Sequence, residues 1–253
     1  MKPINHFKDS NGHTIILSSE SDVGLSDINS RWFDIIYWQK KYCVSGQSKG
    51  RKIAWFINPP DSNMKQWVLR HYYRGGMISK LTADKFIYNG ISNTRCFKEI
   101  KLLMELVKLG LAVPKPIAAR VIKDGFFYRA DLIMEKLDAV DLIARLEKVA
   151  LSTTEWQMVG ETIASFHNNG VYHADLQLRN ILIDENDKVW LIDFDRCKKR
   201  KVEAGWQKNN IDRLKRSFLY EKGLNNALYY DDNSWHSLCK GYKKQLNSSL
   251  NVE

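Results

Sequence analysis

Proline is scarce in this 253-residue chain and stops early: all five, the last being Pro116, lie in the first half. The second half therefore lacks the residue that most readily breaks helices. Cysteine is also sparse. Cys43, Cys96, Cys197 and Cys239 are scattered, with no CxxC pair and no grouping with histidines. That excludes a zinc site and a disulfide framework and suits reduced thiols in a cytosolic protein. No apolar run approaches the ~18 residues needed to cross a bilayer. The start, "MKPINHFKDSNGHTIILSS", has no apolar stretch of a secretory signal. No low-complexity tract or internal repeat occurs.

Positive charge is in excess: 39 Lys and Arg against 29 Asp and Glu give a net charge of +10. Such a balance favours an anionic partner, whether nucleic acid, a membrane surface or a phosphorylated substrate, with plain solubility as the alternative. Hydrophobic residues make up 44%, enough for a sizeable core. The length suits one large domain or two lobes sharing a cleft.

Periodicity predicts a helix over 25–41, with Leu25, Ile28, Trp32 and Ile36 on one face. Two or three strands follow over 42–76, with turns at Gly46–Gly50 and Pro59–Asn63. Residues 95–109 read as a helix stopped by Gly110, and "FFYRADLIMEKL" (126–137) as a strand entering a linker. A third helix, 154–169, has Trp156, Val159, Ile163 and Phe166 on one face and ends at Gly170. Strands are expected at 181–183 and 189–192, and a helical tail from Asn210 with Ile211, Leu214, Phe218 and Leu219 inside. The expected fold is α+β and two-lobed: a β-rich lobe with one main helix over 1–136, its first 41 residues an extension, then a reduced, mostly helical lobe over 137–253.

The chemistry concentrates in "YHADLQLRNILIDENDKVWLIDFD", residues 172–195. Phosphoryl transfer needs a carboxylate to accept the attacking hydroxyl's proton, and oxygen ligands for magnesium beside the phosphates. Protein kinases meet this with H-R-D-L-x-x-x-N followed by D-F-G. Here His173, Asp175 and Asn180 stand at that spacing, and Asp193-Phe194-Asp195 follows an apolar–turn–apolar hairpin. Such a hairpin brings Asn180 and Asp193 to the same end, with Asp184, Glu185 and Asp187 as turn residues. Asp175 is the candidate base; Asn180 and Asp193 are the candidate metal ligands.

In the first lobe, "WVLR" (67–70) stands where kinases carry V-A-I-K. Alternation places Val68 and Arg70 on one face, for adenine and phosphate respectively. Arginine replaces the expected lysine, and a guanidinium can still grip phosphates. Lys65, of opposite parity, faces away. Glu99 shares a helix face with Leu102, Leu103 and Leu106 and so calls for an opposite charge, with Arg70 the natural partner. The turn from Gly46 to Gly50 is the candidate phosphate cover. Backbone groups of Glu135 and Leu137 are the candidate adenine contacts. Together these imply ATP and Mg2+.

Several departures narrow the substrate. Ala174 replaces the arginine of H-R-D, no A-P-E follows, Asp195 replaces the glycine of D-F-G, and sixty residues follow Asp193. These favour an unregulated kinase for a small or carbohydrate-containing acceptor over a regulated protein kinase. The basic run "RCKKRK" offers Arg196, Lys198, Lys199 and Arg200 to an anionic acceptor, with Arg74 and Lys80 as further candidates.

The stretches "KGRKIAWF", "WVLRHYYRGG", "TRCFKEIKLL", "GLAVPKPIAARV", "YRADLI", "HADLQLRNILID", "VWLIDFDR" and "WQKNNIDRLKRS" run from Lys49 to Ser217. In these the chain resembles the 3-deoxy-D-manno-octulosonic acid (Kdo) kinase family of lipopolysaccharide-core biosynthesis, whose fold is protein-kinase-like. The resemblance implies ATP-dependent phosphorylation of the Kdo 4-hydroxyl on Kdo-lipid IVA. It also implies a peripheral location on the cytoplasmic face of a Gram-negative inner membrane, beside an anionic surface, and arginine as the family's residue at position 70. Nucleic acid and an obligate protein partner are not expected. Heptose kinases of the same core, other small-molecule phosphotransferases such as aminoglycoside kinases, and a basic anion-binding pseudokinase module remain as alternatives.

Overall fold

The computed structural model describes residues 4–20, 28, 30–48, 53–59, 65–74 and 84–248. The chain forms two compact units: residues 1–108 with 114–137, and residues 109–113 with 138–253.

The first unit is built on an antiparallel sheet. Its elements are β1 (His6–Lys8), β2 (Thr14–Leu17), α1 (Ile35–Lys40), β3 (Val44–Gln47), β4 (Ala54–Ile57), β5 (Trp67–His71), β6 (Phe86–Ile87), α2 (Arg95–Lys108), β7 (Pro116–Asp124) and β8 (Phe127–Glu135). The strand order is β1-β2-β7-β8-β5-β4-β3, with β6 pairing the start of β8. Strand β5 lies between β4 and β8, so Arg70 is opposite Ala54 on one side and Leu132 on the other. Alternation along β5 sends Trp67 and Leu69 into a core with Ile15, Phe33, Trp38, Ile57 and Ile133. Burying each such side chain contributes roughly 1.5–3 kcal/mol. Val68 and Arg70, half-buried, project to the other face, where α2 packs on β7 and β8.

The expected helix over 25–41 is replaced by something shorter. Within its described part, one 3-10 turn (Ser30–Phe33) precedes α1, and Asp34 breaks the run. Asp34 is extended and its carboxylate accepts the Ile36 amide at 2.9 Å; capping oxygens of this kind start helices, so a helix cannot run through it. The buried side chains are Phe33 and Trp38, while Ile36 is 54% exposed; Leu25 lies outside the described residues. Gly46 also differs from expectation. It sits inside β3, at a register shift against β4, because Ser48 extends that pairing through its amide and hydroxyl to Ala54. The turn therefore begins later, and Gly50 and Pro60–Asn63 lie outside the described residues.

The second unit contains β9 (Ala139–Asp141), α3 (Leu142–Leu146), α4 (Thr153–Asn168), β10 (Val171–Tyr172), β11 (Ile181–Asp184), β12 (Val189–Leu191), β13 (Lys198–Lys199), α5 (Ala204–Leu224) and α6 (Asp232–Ser248). Ser152 and Glu155 close a capping box on α4, which satisfies amides a helix start leaves orphaned. Gly170, at φ 71°, lets the chain reverse into β10. Strands β12, β11 and β9 form one small sheet; β10 and β13 form another.

The tail from Asn210 is helical, as expected, but its first helix starts before that residue and a second follows. Helix α5 begins at Ala204, and its buried side chains are Trp206, Gln207, Asn210, Leu214 and Phe218. Leu219, assigned to the inside by periodicity, is 57% exposed. The polar pair Gln207 and Asn210 displaces the apolar stripe because both hydrogen-bond inward.

Helices α4 and α6 meet at two glycines. A methyl group built on Gly160 would run into the Leu238 carbonyl, and one on Gly241 into the Gln157 carbonyl. Gly160→Ala and Gly241→Ala should each destabilise by about 1–3 kcal/mol, although alanine is the better helix former by up to ~1 kcal/mol. On α5, nothing lies within 4 Å of a methyl at Gly223, so Gly223→Ala should be neutral or mildly stabilising. Urea unfolding of the three variants checks the contrast; equal effects at all three sites would contradict the packing.

Candidate active site

Arg70 and Glu99 are brought together in the first unit. An Arg70 Nη2 atom donates to both Glu99 oxygens, at 2.7 and 2.6 Å, and the Tyr72 hydroxyl donates to Oε2 at 2.6 Å. The Glu99 side chain is 2% exposed and that of Arg70 17%. A carboxylate this deeply buried is tolerable only because cation and phenol satisfy it. Burial, with Glu99 alongside, pushes the Tyr72 phenol well above its usual range against the opposing pull of Arg70, so it stays a donor. Removing one partner of such a pair costs about 3–5 kcal/mol. Val68 shares Arg70's face of β5. Lys65 precedes the strand, is largely exposed, and pairs with Glu135 at 3.7 Å. The Glu135 amide donates to the Lys115 carbonyl, so that N–H is already engaged.

In the second unit, the loop after β10 is held from several sides. His173 is buried; its Nε2 donates to the Ile192 carbonyl at 3.0 Å and its Nδ1 accepts the Asp175 amide at 3.2 Å. Burial lowers its pKa, against the pull of the Ile192 carbonyl, Asp193 and Asp175, which suits this neutral tautomer. The Asn180 carboxamide donates to the Asp175 carbonyl at 2.8 Å, turning its own oxygen the other way. The pairing of Ile181 with Leu191, and the Ile192 amide donating to the Asn180 carbonyl, put Asn180 and Asp193 at the same end of the β11–β12 hairpin. Asp184 accepts the Asn186 and Lys188 amides and the Trp190 indole, closing the other end.

Asp193 has φ 61° and Arg196 φ 66°, so residues 193–197 make a tight turn. Phe194 fills the space beneath, 1% exposed, against Phe166 and edge-on to His173. The Cys197 amide donates to the Phe194 carbonyl, and the Ala174 amide to the Cys197 sulfur. The basic run beyond is less loose than a loop. Lys198 and Lys199 pair with Tyr172 and Val171, and the Arg200 guanidinium lies 3.8 Å from the centre of the Tyr172 ring. Arg74 lies over Phe86. Lys80 is outside the described residues.

Most of the residues that sequence reasoning missed lie on α5. Asn210 brackets His173, donating to its carbonyl at 3.0 Å and accepting its amide at 3.2 Å. Arg213 donates to Asp175 Oδ1. The Ser217 hydroxyl accepts the Leu178 amide at 3.2 Å, and Glu221 accepts two bonds from Arg179. Gln177, in the loop itself, donates to Asp175 Oδ2 at 3.0 Å. The signal was present in "NNIDRLKRSFLYE": polar side chains at helical spacing along the border of a buried stripe.

The donor set suits a magnesium–nucleotide. Asn180 and Asp193 offer an amide oxygen and a carboxylate, the hard ligands magnesium takes alongside phosphate oxygens and water. Among the described residues no cluster of three His, Cys, Asp or Glu forms a cage of its own, and a metal that arrives with its nucleotide does not require one.

A family model described as "Lipopolysaccharide kinase (Kdo/WaaP) family" matches residues 36–242. The chain is similar to proteins named 3-deoxy-D-manno-octulosonic acid kinase. That of Vibrio parahaemolyticus is 42% identical over 219 residues, covering 86% of this chain and 89% of the relative. That of Photobacterium profundum is 42% identical over 212 residues, covering 83% and 88%. That of Pasteurella multocida is 39% identical over 217 residues, covering 84% and 90%.

The loop's supports predict a pH dependence. His167 accepts the Tyr242 hydroxyl at Nδ1 and donates from Nε2 to Asn210. Burial, with the nearby His173, lowers its pKa to about 4 against the Asn210 hydrogen bond. Between that value and the ordinary ~6.5 the unfolded chain binds the extra proton, so stability is complete above ~6.5 and falls as pH drops toward 4. The loss should reach about 3 kcal/mol. Urea unfolding between about pH 7 and pH 4.5 should show it, and His167→Gln should flatten the curve. An unchanged slope in that variant would assign the dependence elsewhere.

Proposed function

Because the chain belongs to the lipopolysaccharide kinase (Kdo/WaaP) family, we propose that it is a protein-kinase-like enzyme that transfers the γ-phosphoryl group of ATP to the 4-hydroxyl of Kdo on Kdo-lipid IVA. The observation that carries this reading is the register of the β11–β12 hairpin, which sets Asn180 beside Asp193 while the Asn180 side chain ties back to the Asp175 carbonyl.

In this reading Asp175 orients the acceptor hydroxyl and takes its proton as the new P–O bond forms. Asn180 and Asp193 hold magnesium, which supplies charge neutralisation at the phosphates. Arg70, fixed by Glu99 and Tyr72, holds phosphate oxygens from one side. Val68, with the Glu135 carbonyl and the Leu137 backbone, receives the adenine. Gly46 and Gly50 flank the segment that covers the phosphates. Arg196, Lys198 and Lys199 attract the anionic glycolipid, and Arg200 does so from its seat on Tyr172.

The excess of 39 basic over 29 acidic residues supports a peripheral place at the cytoplasmic face of an anionic inner membrane, where each Lys or Arg near the surface is worth ~1 kcal/mol. Among the described residues no helix is long and apolar enough to cross a membrane.

Asp175→Ala should lower turnover by about 10²–10⁴-fold and leave ATP binding in place. Asp193→Asn should raise the magnesium concentration needed for half-maximal rate, and chelation should abolish transfer. Assays with ATP against Kdo-lipid IVA, heptosylated core and aminoglycosides, with the phosphate located by mass spectrometry and NMR, test the acceptor. Transfer to the latter two but not to Kdo would overturn the reading.

A further inference from the structure

Four side chains of α5 line up along the loop from His173 to Arg179, but they do different work. Asn210 and Ser217 hold backbone atoms of His173 and Leu178. Glu221, its side chain 12% exposed, holds Arg179. Of the four, only Arg213 is directed at the carboxylate assigned as the base. It is also open: 46% of the Arg213 side chain and 38% of Asp175 face solvent. Both Asp175 oxygens are taken, Oδ1 by Arg213 and Oδ2 by Gln177. Each oxygen keeps a second lone pair for an acceptor hydroxyl, and an acceptor seated there lies beside the Arg213 guanidinium. A half-exposed ion pair contributes little to stability, so the Arg213–Asp175 contact opens at small cost, provided the guanidinium finds another anion.

The relatives' acceptor, by their printed name, is an acid. In a 3-deoxyulosonic acid the carboxylate is C1, the ketose carbon C2 follows, and C3 bears no hydroxyl. With the C2 oxygen in glycosidic linkage, the C4 hydroxyl is therefore the ring hydroxyl nearest the carboxylate, related to it 1,3 across the ring. An acceptor that brings this hydroxyl to Asp175 brings a carboxylate to the neighbourhood of Arg213. The planar guanidinium is the side chain best matched to a carboxylate, by paired N–H donors.

Resting on the reading of Asp175 as base toward a Kdo acceptor, we propose that Arg213 is a specificity residue that exchanges Asp175 for the carboxylate of the acceptor, selecting acidic sugars. A neutral group in place of the carboxylate offers the guanidinium no anion to move to, so a neutral analogue forgoes that contact.

The test compares two acceptors, Kdo-lipid IVA and the same glycolipid with its Kdo carboxylate converted to the carboxamide, with the full-length protein and Arg213→Gln. The unaltered protein should prefer the acid by roughly 30–100-fold in kcat/KM, the scale of an unmet polar group in a specific site. Arg213→Gln should lose that preference, falling on the acid while staying within about 3-fold of the unaltered protein on the carboxamide, with the KM for ATP unchanged. Arg213→Lys, which keeps charge without the paired geometry, should retain part of the preference; its rescue separates recognition from mere damage to the fold. Equal losses on both acceptors would overturn the inference while leaving Kdo phosphorylation standing. A raised KM for ATP would also overturn it, placing Arg213 on the nucleotide. No transfer to either acceptor by the unaltered protein would sink the proposed function together with this inference.

Discussion

The carboxamide of Asn210 sits between the backbone of His173 and the ring of His167, and each of its bonds excludes an alternative for the others. Its nitrogen must face the His173 carbonyl, so its oxygen is left to accept from the His173 amide and from His167 Nε2. That direction fixes the His167 tautomer, whose Nδ1 then accepts from Tyr242 on α6. One buried amide thereby ties α4, α5 and α6 to the first residue of the loop. The group is 2% exposed, and leaving it half-satisfied would cost its full desolvation. The loop's conformation thus belongs to the helical core, not to the loop's own sequence.

This anchor determines the rest of the loop. With His173 held, its ring reaches the Ile192 carbonyl and its other nitrogen takes the Asp175 amide. Asn180 closes the same span by reaching back to the Asp175 carbonyl. The side chain of Asp175 is left pointing outward, with Arg213 and Gln177 as company. The turn at 193–197 has φ values of 61° at Asp193 and 66° at Arg196, an arrangement that costs non-glycine residues some energy. It is offset by the burial of Phe194 and by the Cys197 contacts. Aspartate in place of glycine at 195 is consistent with a turn fixed by packing.

Much of this was legible in the sequence because spacing carries it. Helix α2, helix α4, the β11–β12 hairpin and the alternation of β5 all follow from apolar periods and glycine stops. The Arg70–Glu99 pair followed from a charge on a buried face. The misses have a common cause: a polar side chain had the deciding role where apolar pattern was the guide. Asp34 caps and so ends the turn before α1. Ser48 prolongs β3 and moves the turn beyond Gly46. Gln207 and Asn210 rotate the buried face of α5 and expel Leu219. Arg213 went unread for the same reason, since a lone arginine on a basic helix has no period to mark it, and its meaning lies in a partner 38 residues away.

The two arginine–carboxylate pairs show how burial alone divides labour between like interactions. Arg70 and Glu99 are 17% and 2% exposed, and at a protein-like dielectric near 20 two unit charges about 4 Å apart attract by ~4 kcal/mol. Glu99 has no water to return to, so the pair is permanent. Arg213 and Asp175 are 46% and 38% exposed. There the attraction falls toward the ~1 kcal/mol of bulk water, and solvent stands ready to replace either partner. The first pair is a fixed part of the fold. The second can open without disturbing the fold, because Asn210 and Ser217, not the ion pair, hold the loop in place.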